Sequence, residues 1–412
     1  MKILHLYDEH SKVAPGWGSV VTVILNISKQ LVKMGHDVTI IERKWRNTPE
    51  MEVLNGIKFK RFRLHIGSDI PGKEVPYKMV SNTVALSKMI LDRTEFAFKL
   101  KKYLEKEEFD ILHVHVPFTI NILIKISKSL KDKVVYTLHA GEERKRLGLD
   151  KNAPFALRLF SPDLHIIKRV KICTVLNPPL KQELIRKGVE EEKIKVIPNG
   201  INVNEFGNFD EEELIKIKEK YSIDRDKIVI MFAGTITPRK GVMCLLKAME
   251  MIINSGCNNV FLALAGATNL DRKYFEEVYN FTRKKIKDYV KFLGIIPYED
   301  LKVLYSACDI FVLPSFREGD PIALKEALAS GKPLIGSNVS GIPMQIRDGW
   351  NGFLIEPGNE KQLAEKLKYL IENEGERKRM GRNSRRLAEE EFDWSKIAKM
   401  YLKVYEGISG VL

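Results

Sequence analysis

Long hydrophobic runs are missing from this chain: no apolar stretch approaches the ~20 residues that a membrane-spanning helix needs. Cysteine is scarce, and the four present (Cys173, Cys244, Cys257 and Cys308) are scattered without a CxxC pair. That spacing argues against a disulfide framework or a thiolate metal site and leaves them as small core residues in a reducing compartment. No carboxylate pair of DxD type stands in a convincing loop, so no metal is expected. MKILHLYDEH turns acidic and polar too soon to read as a secretory signal and is expected to be a first strand. These absences lead to the expectation of a cytoplasmic protein.

What is present is ordinary for a folded soluble chain, 44% hydrophobic and 30% charged, which excludes collagenous and disordered classes. At 412 residues the chain exceeds the usual ceiling for a single core, so two domains are expected. The charge is unevenly placed. Residues 1–200 carry 36 Lys and Arg against 23 Asp and Glu, whereas residues 201–412 carry 32 against 31. The basic half reads either as a lysine-rich solvated surface or as a face for something anionic, such as a membrane surface or a phosphate-bearing acceptor.

Short apolar runs alternate with amphipathic stretches. Strands are expected at Lys2–Leu6, Asp37–Ile41, Ile111–Val116, Val134–Leu138, Lys171–Leu176 and Lys195–Ile197, with helices at Ser19–Met34, Ser87–Glu107 and Pro179–Lys187 between them. The pattern restarts at Ile228–Phe232 and continues through Val260–Ala265, Val290–Leu293, Ile310–Leu313, Pro333–Ile335 and Gly352–Ile355. Strand–helix alternation of this kind predicts a parallel sheet covered on both faces, here twice over. The expected division is an N-terminal domain over 1–200, a C-terminal domain over 201–392, and a terminal helical segment, 393–412, packing back toward the first. The stretch Asn199–Asp226 reads as a linker with turn residues and no apolar period. Two doubly wound, Rossmann-like domains would present the carboxyl ends of two sheets, where ligands bind in such folds, to one central cleft.

The block Pro314–Gly358 concentrates the functional signal. Seven residues separate Glu318 from Glu326, across Gly319, Asp320 and a helix beginning at Pro321. Asp320 is expected to cap that helix, with proline at its first position. The first-turn amides of Ile322, Ala323 and Leu324 then offer a phosphate site at a helix N-terminus. Gly319 removes a side chain where backbone must approach a ligand. Glu326, one turn in, can accept two hydrogen bonds from a ribose diol, and Glu318 lies where a hexose would sit. A bare pair of glutamates at this spacing is more often surface decoration; the flanking glycines and the DGWNGFL segment make this one specific.

A second element is FAGTITPRKG, Phe232–Gly241, in which Gly234 and Thr235 form a turn and Arg239 and Lys240 precede a helix. The two cations could neutralise a diphosphate leaving group. In PGWG, Gly16 and Gly18 could let backbone approach a phosphate, although the segment is not a full dinucleotide fingerprint. His139 ends the strand VVYTLH, which would bring its imidazole to the cleft; a lone histidine is otherwise more often structural. His113 and His115, alternating in DILHVHV, read as core or cleft-wall residues.

Taken in order, PGWG, MGHDVTII, DILHVHV, VVYTLHAGEE, KVIPNGINVNEF, AGTITPRKG, the two-glutamate block, DGWNGFLIEPGN and DWSKIAKMYLKVYEGI resemble glycosyltransferase family 4, retaining enzymes of GT-B fold, over nearly the whole chain. The resemblance implies a nucleotide-diphosphate sugar, UDP- or GDP-linked, bound mainly by the C-terminal domain and an acceptor bound by the N-terminal one. It implies transfer of a hexose with retention and without a metal or second cofactor. Glu318 would hold sugar hydroxyls, Glu326 the ribose, and Lys240 the diphosphate. Gly319 and Asp320 would present backbone near phosphates and sugar, Gly16 and Gly18 would approach from the other domain, and His139 would lie near the transferred sugar. Thr235 stands where the family often has arginine, and Met344 where it usually has glutamate.

The acceptor would be a glycan or a lipid-linked one, with no nucleic acid as partner. KFKRFR at Lys58–Arg63 and the lysine-laced stretches Ser87–Glu107 and Ile120–Lys133 are candidates for peripheral contact with an anionic leaflet at the inner face of the cell membrane. Two alternatives stay open: a nucleotide-sugar epimerase on the same fold, and a donor-binding subunit without chemistry.

Overall fold

The computed structural model describes residues 1–9, 12–14, 19–45, 47–65, 83–139 and 162–410. They form two compact units, one of Met1–Pro198 together with Ile397–Leu412, the other of Asn199–Lys396.

The first unit is built on strands β1 (Lys2–Leu6), β2 (Asp37–Arg43), β3 (Met51–Leu54), β4 (Ile57–Phe62), β5 (Ile111–Val114), β6 (Val134–Leu138), β7 (Ile172–Val175) and β8 (Ile194–Val196). Their order in the sheet is β3-β4-β2-β1-β5-β6-β7-β8. Every pairing is parallel except β3 with β4. β5 and β6 are buried at every residue, which is why they read as unbroken apolar runs: both faces need cover. Cover comes from α1 (Ser19–Lys33), α2 (Thr83–Leu104), α3 (Phe118–Ile126), α4 (Pro162–Ile167) and α5 (Pro178–Arg186). In α1 the buried Val21, Ile24, Ile27 and Leu31 recur at helical spacing. The helix stops at Gly35, whose φ of 85° suits glycine.

The hairpin β3–β4 was not among the expected strands. Asn55 and Gly56 turn it with φ of 52° and 78°, the conformation that favours Asn-Gly between paired strands. The hairpin also revises the reading of KFKRFR. Arg61 is fully buried and bound to Glu42 and Glu52 at 2.7 Å each, and Lys58 pairs with Asp37 at 2.7 Å. Alternation along a strand turns Arg61 inward, so the run is not a free basic patch. In the stretch Ile120–Lys133, Ile120, Leu123 and Ile124 are core residues of α3.

The second unit has strands β9 (Ile228–Ala233), β10 (Val260–Ala265), β11 (Val290–Gly294), β12 (Ile310–Leu313), β13 (Leu334–Ser337) and β14 (Gly352–Ile355), in the order β11-β10-β9-β12-β13-β14, all parallel. Its helices are α6 (Glu211–Lys220), α7 (Val242–Asn254), α8 (Arg272–Lys285), α9 (Tyr298–Ala307), α10 (Ile322–Ala329), α11 (Glu360–Glu372) and α12 (Glu374–Leu387). The expected linker contains α6: Asp210 and Glu213 form a reciprocal capping box, and Ile217 is buried. The last helix, α13 (Trp394–Ser409), begins in the second unit and continues from Ile397 in the first. Among the described residues no helix is long and apolar enough to cross a membrane.

Candidate active site

The order of the second sheet reverses direction between β9 and β12, and the loops leaving those two neighbours border a crevice at their carboxyl ends, the usual ligand position in an open parallel sheet. Glycines let these loops touch backbone to backbone. A Cβ on Gly266 would lie 1.9 Å from the carbonyl oxygen of Gly234, one on Gly241 2.0 Å from that of Pro314, and one on Gly341 2.1 Å from that of Gly319. The amide of Phe316 donates to the Arg239 carbonyl at 2.8 Å. The turn after β9, the loop after β12 and the turn Ile342–Met344 are thereby clamped into one assembly.

Glu318 sits within it with its side chain 7% exposed. Lys240 Nζ lies 2.5 Å from Oε1, which also accepts from Ser315 Oγ at 2.7 Å. Arg239 Nη1 lies 3.4 Å from Oε2 and donates to the Arg317 carbonyl at 2.9 Å. Both cations proposed from the sequence therefore meet the first of the two glutamates. Gly234 and Thr235, partly exposed, form the turn just before them. Among the described residues a Cβ on Gly319 would meet no atom within 4 Å.

The start of α10 differs from expectation. Pro321, with φ −70° and ψ 115°, occupies the capping position, and no side chain caps the helix. Asp320 is engaged elsewhere: its carboxylate pairs with the Lys325 ammonium, accepts from Gln345 Nε2 at 2.7 Å, and accepts from the Asn199 amide at 2.6 Å. Lys325 and Asp320 are both completely buried. Burial pulls the Lys325 ammonium downward in pKa, and the Asp320 charge counters it. An ammonium without water needs such a partner, and that need outweighs capping. Among the described residues the first-turn amides of Ile322, Ala323 and Leu324 thus begin a helix with no side-chain acceptor.

Glu326 lies one turn into α10 and is 8% exposed. Burial pushes its carboxyl up to about 7; Glu205 adds to the shift and the Tyr305 hydroxyl opposes it. A carboxyl so placed gains from a ligand that brings hydroxyl donors to it.

In the first unit the order reverses between β1 and β5, which pair with His5 opposite His113. His139 follows β6. Its Nε2 lies 2.9 Å from His115 Nδ1, and His115 Nε2 lies 3.0 Å from His5 Nδ1. His113 is held separately by Tyr405 Oη at 2.7 Å and Thr137 Oγ1 at 2.6 Å. His5, His113 and His115 bring nitrogens within 4.8 Å of one another, yet His113 has partners at both nitrogens and the other two bind each other, so they form a hydrogen-bonded network. Gly16 and Gly18 lie outside the described residues.

Sequence reasoning missed Lys325, Gln345 and Ser315, and missed a buried ionic group in the first unit: Arg43 with Asp92 at 2.7 Å, and Arg93 with Asp92 at 3.1 Å and Asp8 at 3.5 Å. A lysine inside an otherwise apolar helical stretch was the one available signal for Lys325. A groove of about 750 Å³ lies at the amino ends of β1 and β5 among Lys2, Glu107, Asp110 and Lys133, at the opposite end of the sheet from the histidines.

Two open parallel sheets of this kind, one bearing a cation-and-helix-start crevice, define the GT-B class of glycosyltransferase. Solved structures of that class share the fold: sucrose-phosphate synthase from Thermosynechococcus elongatus (TM-score 0.76, 20% identity, 100% of both chains) and Anabaena HepE in complex with UDP and glucose (TM-score 0.72, 19% identity, 99% of this chain and 100% of that one). An uncharacterised glycosyltransferase of Methanocaldococcus jannaschii is 28% identical over 391 residues, 92% of each chain. Residues 20–205 match the model of Glycosyltransferase Family 4, and residues 215–387 that of Glycosyl transferases group 1. The chain belongs to glycosyltransferase family 4 and is a glycosyltransferase.

Proposed function

We propose that this enzyme moves a hexose from a UDP- or GDP-linked donor to a hydroxyl of a glycan or glycolipid, with retention at the anomeric carbon and without a metal. The observation that carries the reading is the placement of Lys240 and Arg239 on Glu318, beside the uncapped start of α10. The carboxylate holds the two cations in position. With donor bound, the diphosphate would take their charge and the amides of Ile322 and Ala323, Glu318 would turn to sugar hydroxyls, and Glu326 would take the ribose. A UDP-linked donor is favoured by the UDP and glucose found with HepE.

The reaction is a front-face displacement. The bond from the anomeric carbon to the diphosphate breaks, the acceptor hydroxyl enters on the same side, and a departing phosphate oxygen takes its proton. Leaving-group charge stabilisation and orientation then supply the rate. The first unit would take the acceptor, with His139 near the transferred sugar. Along α2, exposed Ile90, Leu91 and Phe98 accompany exposed Lys88 and Lys102, a composition suited to the headgroup region of an anionic leaflet.

Thermal-shift measurements against UDP-, GDP- and ADP-linked hexoses in EDTA test this reading. A UDP- or GDP-sugar at ~100 times its Kd should stabilise the protein by ~2.7 kcal/mol. No shift with any nucleotide sugar, or activity abolished by EDTA, overturns it. NMR of the product reports the anomer, and incubation with donor alone detects an epimerase.

A further inference from the structure

We infer that His115, backed by His5, fixes His139 as a neutral imidazole with its hydrogen on Nδ1, so that His139 serves the transfer as a hydrogen-bond donor and not as a base. The inference rests on the reading that His139 takes part in the reaction. Three rings in series make two nitrogen–nitrogen contacts, His139 Nε2 to His115 Nδ1 at 2.9 Å and His115 Nε2 to His5 Nδ1 at 3.0 Å. Each contact holds one hydrogen and each neutral ring carries one. His115 must therefore donate in one contact and accept in the other, and the row has a single direction.

The far end decides it. His5 is fully buried, and among the described residues its Nε2 has no hydrogen-bond partner. If the row ran from His139 toward His5, that nitrogen would carry an orphaned N–H in the interior, the rarer and costlier kind of unsatisfied group. In the other direction His5 Nδ1–H donates to His115 Nε2, His115 Nδ1–H donates to His139 Nε2, and only a bare lone pair is left behind. Burial keeps His5 and His115 neutral: it lowers His5 to about 3, and His115 also falls well below its ordinary value.

The lone pair of His139 Nε2 is thereby occupied and its Nδ1 carries the hydrogen. Whatever Nδ1 meets, it meets as a donor. His139 has no lone pair with which to take the acceptor proton, which agrees with passing that proton to the leaving diphosphate. His115 and His5 are positioning residues in this scheme.

The direct test is long-range proton–nitrogen NMR on enzyme labelled with ring-¹⁵N histidine, with His139 assigned by loss of its signals in His139→Gln. The expected signature is a neutral, Nδ1-protonated ring through the neutral pH range. An Nε2-protonated or cationic ring overturns the inference without reference to activity. Substitution of His115 provides a second readout. His115→Asn keeps a carboxamide near the Nδ1 position and can still donate to His139, whereas the amide of His115→Gln reaches only the Nε2 side. We expect His115→Gln to lower kcat about 10–100-fold, the scale seen when an outer partner of a functional histidine is lost, with donor KM little changed and His115→Asn recovering most of the rate. Equal losses in the two variants overturn the role of His115. Full kcat in His139→Ala with the Nδ1–H signature intact in the wild type overturns the site reading instead, and with it the donor role.

Discussion

Lys240 and Glu318 form a close charge pair, Nζ to Oε1 2.5 Å, between the loops leaving two adjacent strands of the second sheet. Their side chains are 12% and 7% exposed, so solvent screens the pair little. Glu318 holds the lysine at the crevice. Removing it should cost transition-state charge stabilisation: Lys240→Ala is expected to lower kcat by ~10²–10³ in steady-state assays with the preferred donor. A variant at full rate would remove Lys240 from the mechanism.

Glu326 ties stability to pH. Its carboxyl is raised from 4.5 to about 7, so the native state holds a proton that the unfolded chain releases sooner. The protonated form's contribution is complete below pH ~4.5 and is lost as pH rises through ~7. Glu326→Gln, neutral at all pH, should therefore be more stable than wild type in the alkaline range, by up to roughly 3 kcal/mol, and gain nothing near pH 4. Urea melts across that range measure the crossing. The same variant should bind donor more weakly, since an amide oxygen accepts less strongly than a carboxylate.

Two glycines in contact should respond in opposite ways. Gly319→Ala adds a methyl where none of the described residues lies within 4 Å, so the melting temperature should hold while donor KM rises. Gly341→Ala puts a methyl 2.1 Å from the Gly319 carbonyl oxygen, forces the loops apart, and should lower the melting temperature itself. Calorimetry beside donor titration separates the two effects.

The Lys325–Asp320 pair is the sharpest case of stability carried by charge. Lys325→Met leaves a buried carboxylate with only Gln345 and the Asn199 amide, and should destabilise by ~3–5 kcal/mol. Adding Asp320→Asn to that variant should restore much of the loss. A double-mutant cycle in urea measures the coupling, and simple additivity would contradict it.

The exposed apolar residues of α2 should govern any membrane contact. Flotation with anionic liposomes at low salt is expected to carry the wild type upward and to release it when Leu91→Ser and Phe98→Ser are combined. Flotation unchanged in the double variant would place the contact elsewhere.

The strands were legible because parallel strands buried on both faces have no polar alternation to confuse them; β6, β10, β12 and β14 begin and end where their apolar runs do. Glu318, Lys240 and Arg239 could be linked because the motifs lie on loops that the strand order brings together. Asp320 could not be read correctly, because two of its partners are 25 and 121 residues away and local sequence favours the nearer role of a cap. Arg43, Arg61 and Arg93 were hidden for a similar reason: a charged residue reads as surface until its buried carboxylate is found elsewhere in the chain. The Asn55–Gly56 turn and the Asp210–Glu213 capping box carried local signals that the charge around them obscured.

The path of α13 limits how the protein can be divided. The chain leaves the first unit after Pro198 and re-enters it at Ile397, so no single cut separates the two. A fragment ending at Pro198 would lack the fully buried Tyr405 and strip His113 Nδ1 of its phenol partner. Joining residues 397–412 to the first unit through a new loop, and expressing Asn199–Lys396 alone, is the partition that keeps each core whole. Ligand titrations on those two pieces would then assign donor and acceptor to separate folded bodies.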